Sequence, residues 1–341
     1  MWQEYKNEFI SQAIHAGKSQ KYIDTCLDYA YALIQNGLPI IFDATHLSLL
    51  VGYNKEYLFS AANSPRHFYR TFRIKKKSGG EREISEPLPS LKEIQHWILE
   101  NILINIPCSK YAKAYIKKSS ILQNAKFHRS QKNVLRLDIR HFFPSINLSK
   151  TYLVFYGAGY SKSVSMLLAR LCSLHNGLPQ GAPTSPALSN IAMKEVDSRI
   201  GGYTIKKNIR YTRYADDLVF SGDFIPGDVI SISSKILGEY GFALNEKKTK
   251  LMRAHQRQRV TGLIVNKKIN IQRELKRKLI QEAYYINKYG LQSHLDKTLN
   301  TSIHYIARLI GLTAFALSVN KNDKQLLTSI DIFRKSKPRK D

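Results

Sequence analysis

The chain has 341 residues, 43% of them hydrophobic, enough to bury real cores in two or three domains, which excludes a disordered protein. Lys and Arg number 53 against 26 Asp and Glu, and the net charge of +27 favours a polyanionic partner, nucleic acid first. No run of 18 apolar residues and no signal-like start after Met1-Trp2-Gln3-Glu4 occur, and Cys26, Cys108 and Cys172 are odd in number and widely spaced; the expectation is a cytoplasmic protein with reduced thiols and no membrane contact.

Residues 3–36 read as two amphipathic helices, with Phe9, Ile14, Tyr22, Ile23, Leu27, Ala30 and Leu33 at helical spacing and Asn36-Gly37-Leu38-Pro39 ending the run. Residues 40–66 continue helical, and 1–60 read as an N-terminal helical extension. From about 67 to 265 short strands and helices alternate. There, a Ser78-Gly79-Gly80 turn is flanked by Lys75, Lys76 and Arg82, a hairpin tip that carries cations. Asn124 and His128 stand four apart on one helix face. Val134 to Ile139 is an apolar strand that reaches Asp138 and runs into His141-Phe142-Phe143-Pro144. Gln180, between Pro179 and Gly181, offers a donor and an acceptor from a stiff loop. Val260-Thr261-Gly262 reads as a strand ending in a close backbone approach. Residues 266–341 turn helical and basic, 16 Lys and Arg against 6 Asp and Glu, and Arg273, Lys276, Arg277 and Lys278 as a group face phosphates. Arg334 to Lys340 is expected to be a flexible tail that binds polyanions in a salt-sensitive way.

The densest chemical signal is Tyr214-Ala215-Asp216-Asp217. Ile209-Arg210-Tyr211-Thr212 precedes it and Leu218-Val219-Phe220-Ser221 follows, so the pair falls at the tight turn of a β-hairpin. Asp is a common turn residue. Two adjacent carboxylates between apolar runs are nevertheless costly unless a cation sits beside them. Asp138 can complete a cluster suited to Mg²⁺, which takes oxygen ligands and keeps phosphates and water in its shell. Two such ions, roughly 3.5–4 Å apart, would clamp the attacking and leaving oxygens of an in-line displacement at phosphorus.

In order and spacing these segments resemble the reverse transcriptases. Phe72 to Ile84 looks like the fingers hairpin, Leu137 to Phe143 like the first catalytic motif, Gly177 to Pro186 like the loop that supports template and nucleotide, Tyr214 to Asp217 like the catalytic hairpin, and Gly241 to Lys250 like the next palm motif. Asn124-Ala125-Lys126-Phe127-His128 fits an NAxxH pattern and Val260-Thr261-Gly262 a VTG pattern, which narrow the resemblance to the bacterial retron enzymes and argue against group II intron and diversity-generating relatives.

The resemblance implies an α+β right-hand polymerase: fingers and palm over 61–265, the palm an antiparallel sheet with helices, and a basic helical thumb and tail over 266–341. It implies RNA-directed DNA synthesis from dNTPs with two Mg²⁺ ions, Mn²⁺ being the alternative. Asp138 and Asp216 would bridge both ions, the Ile139 carbonyl would add a ligand, and Asp217 would be more peripheral. Lys76 and Arg82 would contact the triphosphate, and Gln180 would lie near the nucleotide. Phe143 would lie beneath the sugar and exclude a 2′-hydroxyl by volume. Lys248 could protonate the leaving pyrophosphate. Asn124 and His128 would recognise RNA, and Val260, Thr261 and Gly262 would touch primer or structured RNA. A retron enzyme would copy a cognate non-coding RNA from the 2′-hydroxyl of an internal guanosine. It would retain the branched RNA–DNA product (msDNA), rely on host RNase H, and serve antiphage defence through a separate effector protein. The contrasting function is a scaffold that holds RNA–DNA and regulates that effector.

Overall fold

A computed structural model describes residues 2–76 and 79–336; Ser78 of the expected hairpin turn and residues 337–341 of the expected tail lie outside them. The fold is mixed helix and antiparallel sheet, divided into two compact units interleaved in sequence. The first gathers Met1–Tyr115, Ile139–Gly202 and Ile232–Asn245, and the second Ile116–Asp138, Tyr203–Ser231 and Glu246–Asp341. Among the described residues no helix is long and apolar enough to cross a membrane.

In the first unit the N-terminal helices are Trp2–His15 and Gln20–Gln35. Ser19 caps the second by accepting from the Tyr22 amide, and Ile23, Leu27, Ala30 and Leu33 form its buried stripe. Strands β1 (Tyr69–Lys75) and β2 (Glu81–Pro87) then pair antiparallel, with Lys75 opposite Glu81. The Ser85 amide donates to the Gln180 carbonyl at 2.8 Å, which fastens β2 to the loop ahead of the helix Ser185–Ala192. Gly181 permits that contact, because a Cβ there would lie 2.7 Å from the Ser85 carbonyl oxygen. Gly177 plays the same part against Pro144, where a Cβ would come within 2.6 Å of backbone oxygen.

The second unit is built on a four-stranded antiparallel sheet of order β4-β5-β3-β6, with β3 Asn133–Asp138, β4 Arg210–Tyr214, β5 Asp217–Gly222 and β6 Lys250–Arg253. The two central strands, β3 and β5, are covered on both faces, which is why Val134, Leu135 and Leu137, and Leu218, Val219 and Phe220, are continuous apolar runs. One face packs Val134, Val219 and Met252 on Ala125, Val260 and Leu263. Strands β7 (Arg259–Val260) and β8 (Leu263–Ile264) form a small hairpin. The helices Arg273–Tyr289, Leu291–Thr298, Tyr305–Val319 and Lys324–Lys335 follow, around Leu279, Ile286, Leu309, Leu326 and Phe333. Arg334 and Lys335, expected in a flexible tail, close the last of these helices, because Phe333 beside them is wholly buried.

Candidate active site

Sheet register alone brings two of the carboxylates together. Asp138 ends β3 directly opposite Asp217, the first residue of β5, and Asp217 pairs with Tyr214 across the β4–β5 hairpin. Ala215 and Asp216 are left as a two-residue loop. Ala215 adopts φ 57°, the positive value that such a loop takes at its first position, at a cost of about 1 kcal/mol for an L-residue. Arg213, wholly buried on β4, donates to the Ala215 carbonyl at 3.2 Å and so braces the turn.

The hairpin is also held from within the core. His128 and Asn124, at the end of the helix Ile121–Phe127, are 0% and 1% exposed. His128 Nδ1 lies 2.7 Å from the Ser221 hydroxyl on β5, and Nε2 lies 2.7 Å from the Thr212 hydroxyl on β4. Thr212 in turn donates to Asn124 Oδ1 at 2.8 Å. With the Thr212 proton given to Asn124, the network assigns the His128 proton to Nε2 and makes Nδ1 an acceptor from Ser221. Burial pushes the His128 pKa down to about 3, with Arg210 adding to the drop, so the ring is neutral. This differs from the expected RNA contact: neither side chain reaches the surface, and together they staple both strands of the hairpin.

The electrostatics of the carboxylates are those of a site short of cations. Burial pushes the Asp217 carboxyl up to about 6; Asp216 and Asp138 add to the rise, while Arg136 and Lys248 oppose it. Arg136 Nε stands 3.7 Å from Asp217 Oδ1. Lys248, on the short helical turn Glu246–Lys248, places its ammonium 2.9 Å from both oxygens of the buried Asp138. Among the described residues no group of three His, Cys, Asp or Glu side chains is arranged to ligate a metal as it stands. The donor chemistry nevertheless suits a hard divalent ion: three carboxylates close in sequence or register, two of them already drawing a side-chain cation.

Of the residues expected to handle the nucleotide, Lys76, Arg82, Phe143 and Gln180 lie on the first unit and Lys248 on the second. Lys76 and Arg82 are exposed near the end of the β1–β2 hairpin. Phe143 is half-buried in the short helix Phe142–Ser145, and its carbonyl accepts from the Leu178 amide at 3.2 Å. Gln180 is half-buried, its carbonyl engaged by Ser85. Ile139 is buried and bridges Leu244.

On the second unit Val260 is buried, and Thr261 and Gly262 form the β7–β8 turn with φ 45° and 88°. A Cβ on Gly262 would meet no protein atom within 4 Å, so within the protein its glycine serves this positive-φ backbone conformation. Arg273, Arg277 and Lys278 are exposed. Lys276, expected to face phosphate, is tied to Asp323 at 2.6 Å, where the same carboxylate caps the final helix. Sequence reasoning missed Arg213, Thr212, Ser221 and Arg136; polar residues inside otherwise buried strands were their only signal.

Comparison with known proteins places the chain in a family. The sequence profile described as "Reverse transcriptase (RNA-dependent DNA polymerase)" matches residues 74–307. The retron Ec86 reverse transcriptase of Escherichia coli is 31% identical over 324 residues, covering 93% of this chain and 96% of that protein. The retron Mx65 reverse transcriptase of Myxococcus xanthus is 31% identical, covering 87% and 70%. Among solved structures, a foamy viral protease–reverse transcriptase in complex with double-stranded DNA is similar at TM-score 0.43 and 14% identity, covering 79% of this chain and 44% of that one. An apo telomerase from Candida tropicalis is similar at TM-score 0.46 and 11% identity, covering 80% and 58%.

Proposed function

This chain belongs to the reverse transcriptases, in their retron branch, and is an RNA-directed DNA polymerase; from that premise we propose that it copies part of a cognate non-coding RNA into a branched RNA–DNA hybrid, primed from a guanosine 2′-hydroxyl. The observation that supports this most is the in-register placement of Asp138 opposite Asp217, with Asp216 in the adjoining turn. Residues 61–265 act as fingers and palm, and 266–341 as the thumb.

Asp138, Asp216 and Asp217, with the carbonyl of Ile139 next in the chain, would hold two Mg²⁺ ions. Bound there, the ions supply charge stabilisation to the attacking and leaving oxygens. The chain's own groups do the rest. Lys76 and Arg82 neutralise the triphosphate, which lowers the cost of charge on the departing pyrophosphate. Phe143 fills the space a ribose 2′-hydroxyl would need, and Gln180 positions the nucleotide. As the bond from primer oxygen to α-phosphorus forms and the bond to pyrophosphate breaks, Lys248 gives its proton to the leaving group, and the primer hydroxyl loses its proton to solvent. Lys248 therefore moves off Asp138 during the cycle. Asn124 and His128 position the hairpin that carries Asp216 and Asp217. The cellular role is antiphage defence in the cytoplasm, with a separate effector protein and host RNase H.

The test is to purify the wild type and an Asp216→Asn, Asp217→Asn variant from cells carrying the native locus, and to treat the bound nucleic acid with RNase, DNase and a debranching enzyme. The wild type should carry short DNA joined to RNA through a debranchable bond, and the variant RNA alone. Unbranched DNA in the wild type would overturn the priming scheme, and intact synthesis in the variant would overturn the metal-site assignment.

A further inference from the structure

The thumb contains a cleft of about 740 Å³ that the polymerase chemistry does not use, between the helices Arg273–Tyr289 and Leu291–Thr298. One wall is aromatic. Tyr289 stacks on Tyr285 with centroids 6.2 Å apart and planes 23° apart, and Tyr285 stacks on His294 at 6.1 Å and 15°. Tyr285 and Tyr289 remain 38% and 54% exposed.

The buried end of this stack is locked by hydrogen bonds. His294, 7% exposed, places Nε2 2.7 Å from Glu282 Oε2 and 3.0 Å from the Tyr305 hydroxyl, and Tyr305 donates to the same carboxylate oxygen at 2.5 Å. Three groups bonded pairwise leave the imidazole little freedom to rotate. The ring plane is fixed, and with it the pitch of the tyrosine on top. Nδ1 is the one polar atom of the ring not engaged by this triad.

The other lining is cationic. Arg277, Lys278 and Lys297 line the cleft and make no ion pair among the described residues. The acidic groups beside them are already engaged: Glu274 is held by Arg257 at 2.8 Å, and Glu282 by Tyr305 and His294. A preorganised aromatic face next to three exposed cations that outnumber the lining carboxylates is complementary to a nucleotide, base on ring and phosphate on cation. A paired base is already stacked on both sides and has no free face to offer, so the aromatic wall selects an unpaired one.

We propose that this cleft binds a single unpaired nucleotide, its base stacked on the Tyr285–Tyr289 face and its phosphate held by Arg277, Lys278 and Lys297. The inference rests on the nucleic-acid-binding reading above and adds to it a place on the thumb that distinguishes single strands from duplex. The nucleotide can come from RNA or from the DNA product, which share this chemistry.

The experiment uses the full chain, freed of nucleic acid, and an eight-nucleotide strand with one internal 2-aminopurine, as RNA, as DNA and as blunt duplex. Single strands should bind with quenched 2-aminopurine fluorescence. Tyr285→Ala with Tyr289→Ala should weaken their binding about tenfold and abolish the quenching, while Tyr285→Phe with Tyr289→Phe keeps both. Tighter binding of RNA than DNA assigns the site to the template partner, and the reverse order assigns it to the product. Equal affinity for duplex and single strand, or binding by the wild type without quenching, overturns the cleft while leaving the polymerase reading intact. Failure of the wild type to bind any of the three probes overturns both. The quenching is read on the wild type, so the outcome does not depend on the alanine variant folding.

Discussion

Two β-hairpins of this protein solve opposite problems. The hairpin β4–β5, which carries the candidate carboxylates, is interior: Thr212, Arg213, Val219, Phe220 and Ser221 are all at most 1% exposed, and its polar atoms are bonded to His128 and Asn124 or turned back on its own turn. The β1–β2 hairpin lacks buried support near its distal end, where Arg73, Ile74, Lys75, Glu81, Arg82 and Glu83 are exposed and, among the described residues, the ladder and the exposed Arg73–Glu81 pair hold the strands. Carboxylates that must share cations need positions fixed to a fraction of an ångström, which packing and buried hydrogen bonds supply. Cations proposed to close over a triphosphate need reach and solvation, which an exposed ladder supplies. The contrast teaches that rigidity is placed by function, since both segments are ordinary antiparallel hairpins by composition.

The sharpest way to break the contrast is within the interior site. Asp138→Asn should reduce DNA synthesis on the order of 10³-fold, measured on a generic primer–template, because it removes a preorganised charge where charge develops. Its melting temperature should hardly fall, since the Lys248 partner is largely exposed and can be resolvated.

His128→Ala should act through stability instead. It removes the Ser221 hydroxyl's imidazole partner and one of the two partners of the Thr212 hydroxyl, and it opens a void, a loss of about 2–4 kcal/mol in chemical denaturation. Synthesis should fall equally on cognate RNA and on a generic template; a loss confined to cognate RNA would restore the RNA-contact role. His128 also predicts a pH dependence. Its pKa is about 3 folded and close to 6.5 unfolded, so the unfolded chain binds the extra proton between those values. Stability is therefore full above pH 6.5 and declines as pH falls toward 3, by up to about 1.4 kcal/mol per pH unit for this proton. A His128→Gln variant should show a shallower decline by that one proton.

Smaller effects are expected on the exposed hairpin. Arg82→Ala should raise the KM for dNTPs roughly tenfold by weakening one charge contact, with no change in melting temperature. A large stability loss would show that the exposed ladder depends on side chains after all. The Arg73–Glu81 pair, 3.5 Å apart with both side chains more than half exposed, should contribute least: Arg73→Ala is expected to change stability by under about 0.5 kcal/mol.

The placement of the candidate carboxylates on strand ends and a turn was legible because its information is local. A carboxylate at the end of the apolar run Val134–Asp138, and two more at a turn between apolar strands, mark themselves within about ten residues of chain. The N-terminal helices were equally plain, since Ile23, Leu27, Ala30 and Leu33 write their buried stripe directly in the spacing. The roles of Asn124 and His128 were not legible, because Thr212 and Ser221 lie 84 and 93 residues from His128 and nothing near the histidine marks it as buried. The positive φ of Gly262 was not legible for a related reason: glycine is used both for close approach and for positive φ, and the sequence does not separate the two.

By itself the sequence determined the main elements, their order and the acidic residues of the candidate site, because helix and strand periodicity and turn chemistry act over a few residues. Tertiary structure alone decided that Asp138 meets Asp217 in register, that Lys248 rests on Asp138, that Lys276 is spent on Asp323, and that the NAxxH residues staple a hairpin from inside the core. These are pairings across long stretches of chain, and they follow from which surfaces exclude water together, a property no local window contains.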